Sequence, residues 1–310
     1  MAATSSSPGT STVHYAEVGP VRLAYETFGD PADPALLLVM GQGAQMLAWP
    51  DPWCEELAAQ GLHVVRFDNR DAGLSTHLSG YAPYDLDDLA ADTVGLLDAL
   101  GIGQAHVVGI SMGAMIGQLV AVQHPERVLS LTCIASSTGS RRVGRPRASL
   151  LRRLPIRRRA ADRDEAGELF ARVLGAIGSP AYPADPAHLR DLGSRAYDRA
   201  FDPRGGLRQL SAIVRAPDRT PGLRSLRIPV LVVHGDADPL VASTGGRAIA
   251  DAVPGATFVT VLGMGHDLPR QVWPLLTEQV LALARRTDAP AAAAQSQSTG
   301  GAATPPDSRS

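Results

Sequence analysis

Apolar residues in this chain gather into short runs separated by longer stretches with helical spacing. The runs are Val21-Arg22-Leu23-Ala24-Tyr25, Leu36-Leu37-Leu38-Val39, His63 to Phe67, His106-Val107-Val108, Leu129 to Ile134, Val230 to Val233 and Thr257-Phe258-Val259. Most are near-continuous Val, Leu and Ile rather than alternating with polar residues. That pattern marks strands covered on both faces, the condition of a parallel sheet whose crossovers are helices. The first run is more polar and precedes Gly29-Asp30, which predicts an antiparallel strand at the edge. Between runs, Leu86 to Leu100 places Leu86, Leu89, Val94, Leu96, Leu97 and Leu100 on one broad stripe. Asp85, Asp87, Asp88 and Asp92 fall in its early turns, where they complement the helix dipole. A crossover helix ending at Gly101 is predicted, and with it an α/β architecture: a mostly parallel sheet flanked by helices.

The rhythm breaks between residues 136 and 226, where Arg, Pro and Gly are frequent and helical stretches such as Asp164 to Ile177 replace strands. This predicts an inserted helical cap over 136–226 that divides the core into 13–135 and 227–287. Residues 1–12 are rich in Ser, Ala and Thr, and 288–310 hold no large apolar residue. Neither end can offset its ordering entropy by burial, so both are expected to be disordered.

Composition narrows the function classes. With 45% hydrophobic and 19% charged residues, the chain reads as a globular protein able to bury a large core. A formal net charge of −2 provides no overall field for nucleic acid or an anionic membrane, which leaves a small molecule as the expected partner. All 29 basic residues are Arg. Nine of them, from Arg141 to Arg159, are interleaved with Leu150, Leu151, Leu154 and Ile156. We read that stretch as a solvated cap face with inward leucines rather than as a nucleic-acid or membrane surface. No apolar run approaches the roughly 18 residues of a membrane span. The N-terminus lacks the basic and apolar regions of a secretory signal, which predicts a cytoplasmic protein. Cys54 and Cys133 sit outside any metal or redox spacing and are expected to be inert core thiols. With no metal cluster, phosphate-cradling loop or dinucleotide fingerprint, no metal and no cofactor is expected. No sequence signal fixes an oligomeric state.

The chemistry concentrates at strand ends. His106-Val107-Val108 runs into Gly109-Ile110-Ser111-Met112-Gly113 and then into a helical stretch from Ala114 to His124, the strand–turn–helix context of a nucleophile elbow. Such a turn strains the serine backbone and needs flanking glycines, because side chains there would collide with the neighbouring strand and helix. A serine nucleophile requires a base, and the base an orienting carboxylate, in the chain order Ser, Asp, His. Two later strand ends supply them: His234-Gly235-Asp236-Ala237-Asp238 and Gly263-Met264-Gly265-His266. His266 is the base. Either Asp236 or Asp238 has the right place for the acid, the other then capping the turn. Oxyanion donors are expected from the Met112 N–H and from the loop after Leu36 to Met40, where we choose the N–H of Gln42 between Gly41 and Gly43. Gly41, Gly43, Trp49 and Met115 are expected beside substrate, although Met115, one turn beyond Ser111, could equally be core.

Together these residues resemble the α/β-hydrolase superfamily from about His14 to Arg286. Asp68-Asn69-Arg70-Asp71-Ala72-Gly73-Leu74-Ser75 is similar to that family's D-x-R-G-x-G-x-S turn, with Asp71 in place of its first glycine. In the family this turn holds loops near the oxyanion hole and has no catalytic part. The resemblance also selects Asp238, which matches the acid of the G-x-x-D-x-x-V block at Gly235 to Val241. Leu38-Val39-Met40-Gly41, Trp49-Pro50 and Gly263-Met264-Gly265-His266-Asp267-Leu268-Pro269 look like the aclacinomycin methylesterase branch, whose members demethylate a carboxylic methyl ester on an anthracycline polyketide. The implied activity is carboxylic ester hydrolysis through an acyl-enzyme on Ser111. Two rivals use the same fold: a cofactor-independent perhydrolase or haloperoxidase on the same triad, and a non-catalytic small-molecule receptor.

Overall fold

A computed structural model describes residues 12–79, 83–151 and 160–297. Its strands are β1 (His14–Val18), β2 (Val21–Phe28), β3 (Ala35–Val39), β4 (His63–Phe67), β5 (Ala105–Ile110), β6 (Val128–Ile134), β7 (Val230–Gly235) and β8 (Thr257–Val261). They form one sheet in the order β1-β2-β4-β3-β5-β6-β7-β8. From β4 onward neighbours pair in parallel, whereas β2 pairs antiparallel with both β4 and β1. The polar first run is therefore antiparallel, as its composition predicts, but the sheet edge belongs to β1.

The helices are α1 (Asp51–Ala58), α2 (Leu86–Ala99), α3 (Met112–Gln123), α4 (Ala148–Leu151), α5 (Arg163–Ile177), α6 (Pro186–Arg199), α7 (Pro203–Arg215), α8 (Thr220–Leu223), α9 (Thr244–Ala252) and α10 (Trp273–Gln297). Local chemistry sets their ends. At the start of α2 the Asp85 carboxylate accepts the Asp87 and Asp88 N–H groups while Asp88 accepts the Asp85 N–H, a reciprocal cap. Gly101 follows its end at φ +68°, a left-handed position glycine takes without strain. β3, β5 and β7 are buried at every position, so the sheet separates two apolar layers. One layer holds Leu37, Val107, Ile116 and Leu131, the other Leu36, Val108, Trp53 and Leu276.

Helices α4 to α8 lie between β6 and β7, in the region predicted to leave the sheet rhythm. Where α5 and α6 cross, a Cβ on Gly193 would come within 3.1 Å of the Gly167 Cα, so the two glycines set the approach. Arg141, Arg142, Arg145 and Arg147 are exposed and Leu150 is buried; Arg152, Arg153 and Arg157 to Arg159 lie outside the described residues. Residues 1–11 and 298–310 lie outside them too. Helix α10 runs through Ala289 to Gln297, past the boundary at 287 that apolar content alone marks. Alanine, the strongest helix former, prolongs a helix already nucleated by packing of its first turns.

Candidate active site

β5 delivers Ser111 at φ +55° and ψ −117°, outside the regions non-glycine residues prefer. The surroundings hold this backbone on both sides. The Ser111 N–H donates to the Ile134 carbonyl at 2.9 Å, and the Ser136 hydroxyl donates to the Ser111 carbonyl at 2.8 Å. The flanking glycines are sterically required. A Cβ on Gly109 would lie 2.4 Å from the Ala114 nitrogen, and one on Gly113 would lie 2.0 Å from the Val39 carbonyl oxygen at the end of β3.

His266 reaches Ser111 from the loop after β8. Its Nε2 is 3.0 Å from Ser111 Oγ and its Nδ1 is 2.7 Å from Asp238 Oδ2. Its own N–H donates to the Ile177 carbonyl at the end of α5, so that helix holds the backbone that carries the ring. The other Asp238 oxygen accepts the Leu240 and Val241 N–H groups, each at 2.8 Å. Burial pushes this carboxyl up, yet hydrogen bonding from His234 and His266, the His266 charge and the Val241 N–H together hold it down at about 2. His234 is buried beside it and bonds through Nε2 to the Val241 carbonyl at 2.9 Å, a supporting place rather than a reactive one. Asp236, the competing acid, accepts the Gly263 N–H at 2.6 Å and braces the turn after β8.

The loop after β3 lies against the serine. A Cβ on Gly41 would stand 3.3 Å from Ser111 Cβ and 4.0 Å from its Oγ, so a side chain here would press on the serine, and the chain presents Gln42 next. Met112 is the first residue of α3, and its N–H has no acceptor within the helix. The Gln42 side chain donates to the Gly206 carbonyl of α7 at 2.7 Å. Gly43 has φ +70° and its N–H is held by Gln209 at 2.7 Å.

Two of the expected substrate contacts sit elsewhere. Trp49 is fully buried and stacks on Trp53, ring centroids 5.5 Å apart, inside one apolar layer. So large a ring next to α1 gains more from core burial than from lining a cleft. Met115 is buried in the other layer, the core alternative its position allowed. A cavity of about 380 Å³ opens beside the site, between Leu174 of α5 and Leu189 of α6 on one side and Ala237, Pro239 and Asp267, neighbours of Asp238 and His266, on the other. Ser111 and His266 do not line it.

The Asp68–Asp71 turn ties α6 and α7 to the end of β4. Asp68 accepts the Met46 N–H at 2.7 Å, the Leu74 N–H at 2.9 Å and Arg199 of α6 at 2.5 Å. Asp71 stands at φ +65°, where the likeness has glycine, and receives a two-pronged bond from Arg208 of α7 at 2.6 and 2.7 Å. Arg208 also bonds Asp202, which lies 3.2 Å from His77 Nδ1. Asp71, His77 and Asp202 would space as metal ligands, but the guanidinium already supplies their positive charge. Sequence gave no hint of Gln209, Arg199 or Arg208. Each acts across more than 130 residues of chain, on partners that no local spacing marks.

A profile of the alpha/beta hydrolase fold matches residues 34–269. The chain belongs to this family. The hydrolase is 34% identical over 291 residues to rhodomycin D methylesterase DauP of Streptomyces sp. (strain C5), covering 86% of this chain and 95% of that one. It is 33% identical over the same length to rhodomycin D methylesterase DnrP of Streptomyces peucetius, with the same coverage. Among solved structures it resembles the enol-lactonase from Burkholderia xenovorans LB400, with a TM-score of 0.71, 26% identity, and 87% and 99% of the two chains covered. The hydrolase is an ester-hydrolysing enzyme of the branch to which the two methylesterases belong. No helix among the described residues is long and apolar enough to cross a membrane.

Proposed function

We propose that the hydrolase cleaves a carboxylic methyl ester through a serine acyl-enzyme, with Ser111 as nucleophile, His266 as general base and Asp238 as its orienting acid. The observation that carries this reading is one line of contacts: Ser111 Oγ at 3.0 Å from His266 Nε2, and His266 Nδ1 at 2.7 Å from an Asp238 carboxylate held ionised. The ionised acid accepts the Nδ1 proton, which leaves Nε2 free to take the proton of Ser111 as its oxygen attacks the ester carbonyl. The carbonyl oxygen then carries the negative charge, facing the Gln42 and Met112 N–H groups. Collapse expels the alcohol, which takes the proton from His266. Water, deprotonated by the same imidazole, then attacks the acyl carbonyl and releases the acid and Ser111.

Support for a methyl ester of a bulky polycyclic acid comes from the likeness to the rhodomycin D methylesterases. The test is a panel of esters varied separately in acid and alcohol, run with the parent enzyme and with Ser111→Ala. Ser111→Ala should lower turnover by about 10⁴-fold or more. Parent-like cleavage by Ser111→Ala would sink the mechanism, and indifference between methyl and larger alcohols would sink the substrate assignment.

A further inference from the structure

The loop that carries Gln42 is a tight turn with one soft coordinate. The Ala44 N–H points back to the Gly41 carbonyl at 3.4 Å, and Gly43 lies at φ +70°. That is the pattern of a type II turn, with glycine at its third position. In such a turn the central peptide, here Gln42–Gly43, can flip with little displacement of the ends. A flip would exchange the directions of the Gln42 carbonyl and the Gly43 N–H and unseat the turn that sets where the Gln42 N–H, on the peptide before it, stands.

Helix α7 holds that peptide. Gln209 is fully buried; its carboxamide oxygen accepts the Gly43 N–H at 2.7 Å while its nitrogen donates to the Arg70 carbonyl at 2.8 Å. One buried point thus has to satisfy a donor and an acceptor together. A carboxamide does this; a carboxylate lacks the donor, and Met or Leu lacks both. The Gln42 side chain adds a second tether, to the Gly206 carbonyl on the same helix. Gly205 and Gly206 permit the approach. A Cβ at 205 would lie 2.1 Å from the Asp71 carbonyl oxygen, and one at 206 would lie 3.4 Å from Gln42 Nε2.

We propose that Gln209 is a positioning residue for the oxyanion donor: by holding the Gly43 N–H it anchors the turn after β3, and with it the preceding peptide that carries the Gln42 N–H beside Ser111. This rests on the Ser111 reading above. Its consequence is that seating of the cap acts on the transition state rather than on ground-state binding, because the oxyanion exists only after attack.

The experiment compares the parent with Gln209→Met, which keeps the approximate volume and removes both hydrogen bonds. Active sites are counted with a fluorophosphonate probe, kcat and KM are measured on a methyl ester, and inhibition is measured with a trifluoromethyl ketone, whose serine adduct places an oxyanion in the hole. We expect kcat per labelled site to fall about tenfold or more, as displaced catalytic groups do. KM should stay within about twofold, the scale of an interaction made only in the transition state. Inhibition should weaken by the same factor as kcat/KM. An unchanged kcat, or a rise confined to KM, overturns the proposal. If Gln209→Met does not fold, Gln42→Leu cuts the exposed tether instead; a smaller fall in kcat with parallel loss of inhibition supports the proposal, and parent values overturn it. A parent that neither labels nor turns over sinks the Ser111 reading and this one with it. A parent that labels, matched in turnover by Gln209→Met, sinks this one alone.

Discussion

Asp238 shows how much a single side chain depends on its neighbours. Desolvation alone would favour its neutral form, yet the hydrogen bonds and charge around it hold the carboxyl at about 2, below the roughly 3.9 of a free aspartate. A depressed carboxyl stabilises the fold above the unfolded value, and that contribution disappears as pH falls through the folded one. Asp238→Asn should therefore be less stable than the parent above about pH 4, by about 2 kcal/mol from ionisation alone, and the gap should close toward about pH 2. Urea unfolding across that range measures it. Under the proposed mechanism the same substitution leaves the His266 proton on the wrong nitrogen and lowers kcat by about 10⁴-fold. The residue types were legible in the chain, because Ser111, His266 and both candidate acids end predicted strands. Spacing alone left Asp236 and Asp238 open and only the likeness selected Asp238; in the structure Asp238 meets His266, whereas Asp236 bonds the Gly263 N–H.

At the scale of elements, the junction of β5 and α3 is fixed by van der Waals exclusion more than by any bond. Gly113 packs so close to the end of β3 that a methyl group has nowhere to go. Gly113→Ala should cost about 3 kcal/mol, the upper part of the usual range for overpacking, and should lower the thermal midpoint measured by calorimetry. Gly103→Ala is the matching control, because a Cβ at Gly103 meets nothing within 4 Å. The buried strands were readable because both of their faces meet apolar layers, which leaves an unbroken hydrophobic run. β1 was not. His14 to Val18 is half exposed and holds its place by pairing with β2, and its side chains do not announce that pairing. The far end of α10 was hidden for a related reason, since alanine prolongs a helix by backbone propensity and leaves no apolar periodicity in the chain.

For the whole molecule, the decisive relation is between the helical segment and the sheet. Asp71→Gly restores the residue that suits a left-handed backbone, so the turn itself should survive, but it removes the bidentate partner of Arg208. Limited proteolysis should then cut α7 faster than in the parent while the far-ultraviolet spectrum is unchanged; equal cutting would show that Asp202 alone suffices to hold Arg208. This coupling escapes sequence reading because each partner looks ordinary at home: an aspartate in a turn, an arginine on an amphipathic helix. Only the fold brings them together. The same contacts limit what can be exchanged between relatives. A helical segment without Arg199 and Arg208 would strand two carboxylates that have no exposed surface, which costs several kcal/mol apiece. A working chimera must therefore carry the Asp68–Asp71 turn along with helices α6 and α7, so the unit that has to be exchanged together is discontinuous in the gene.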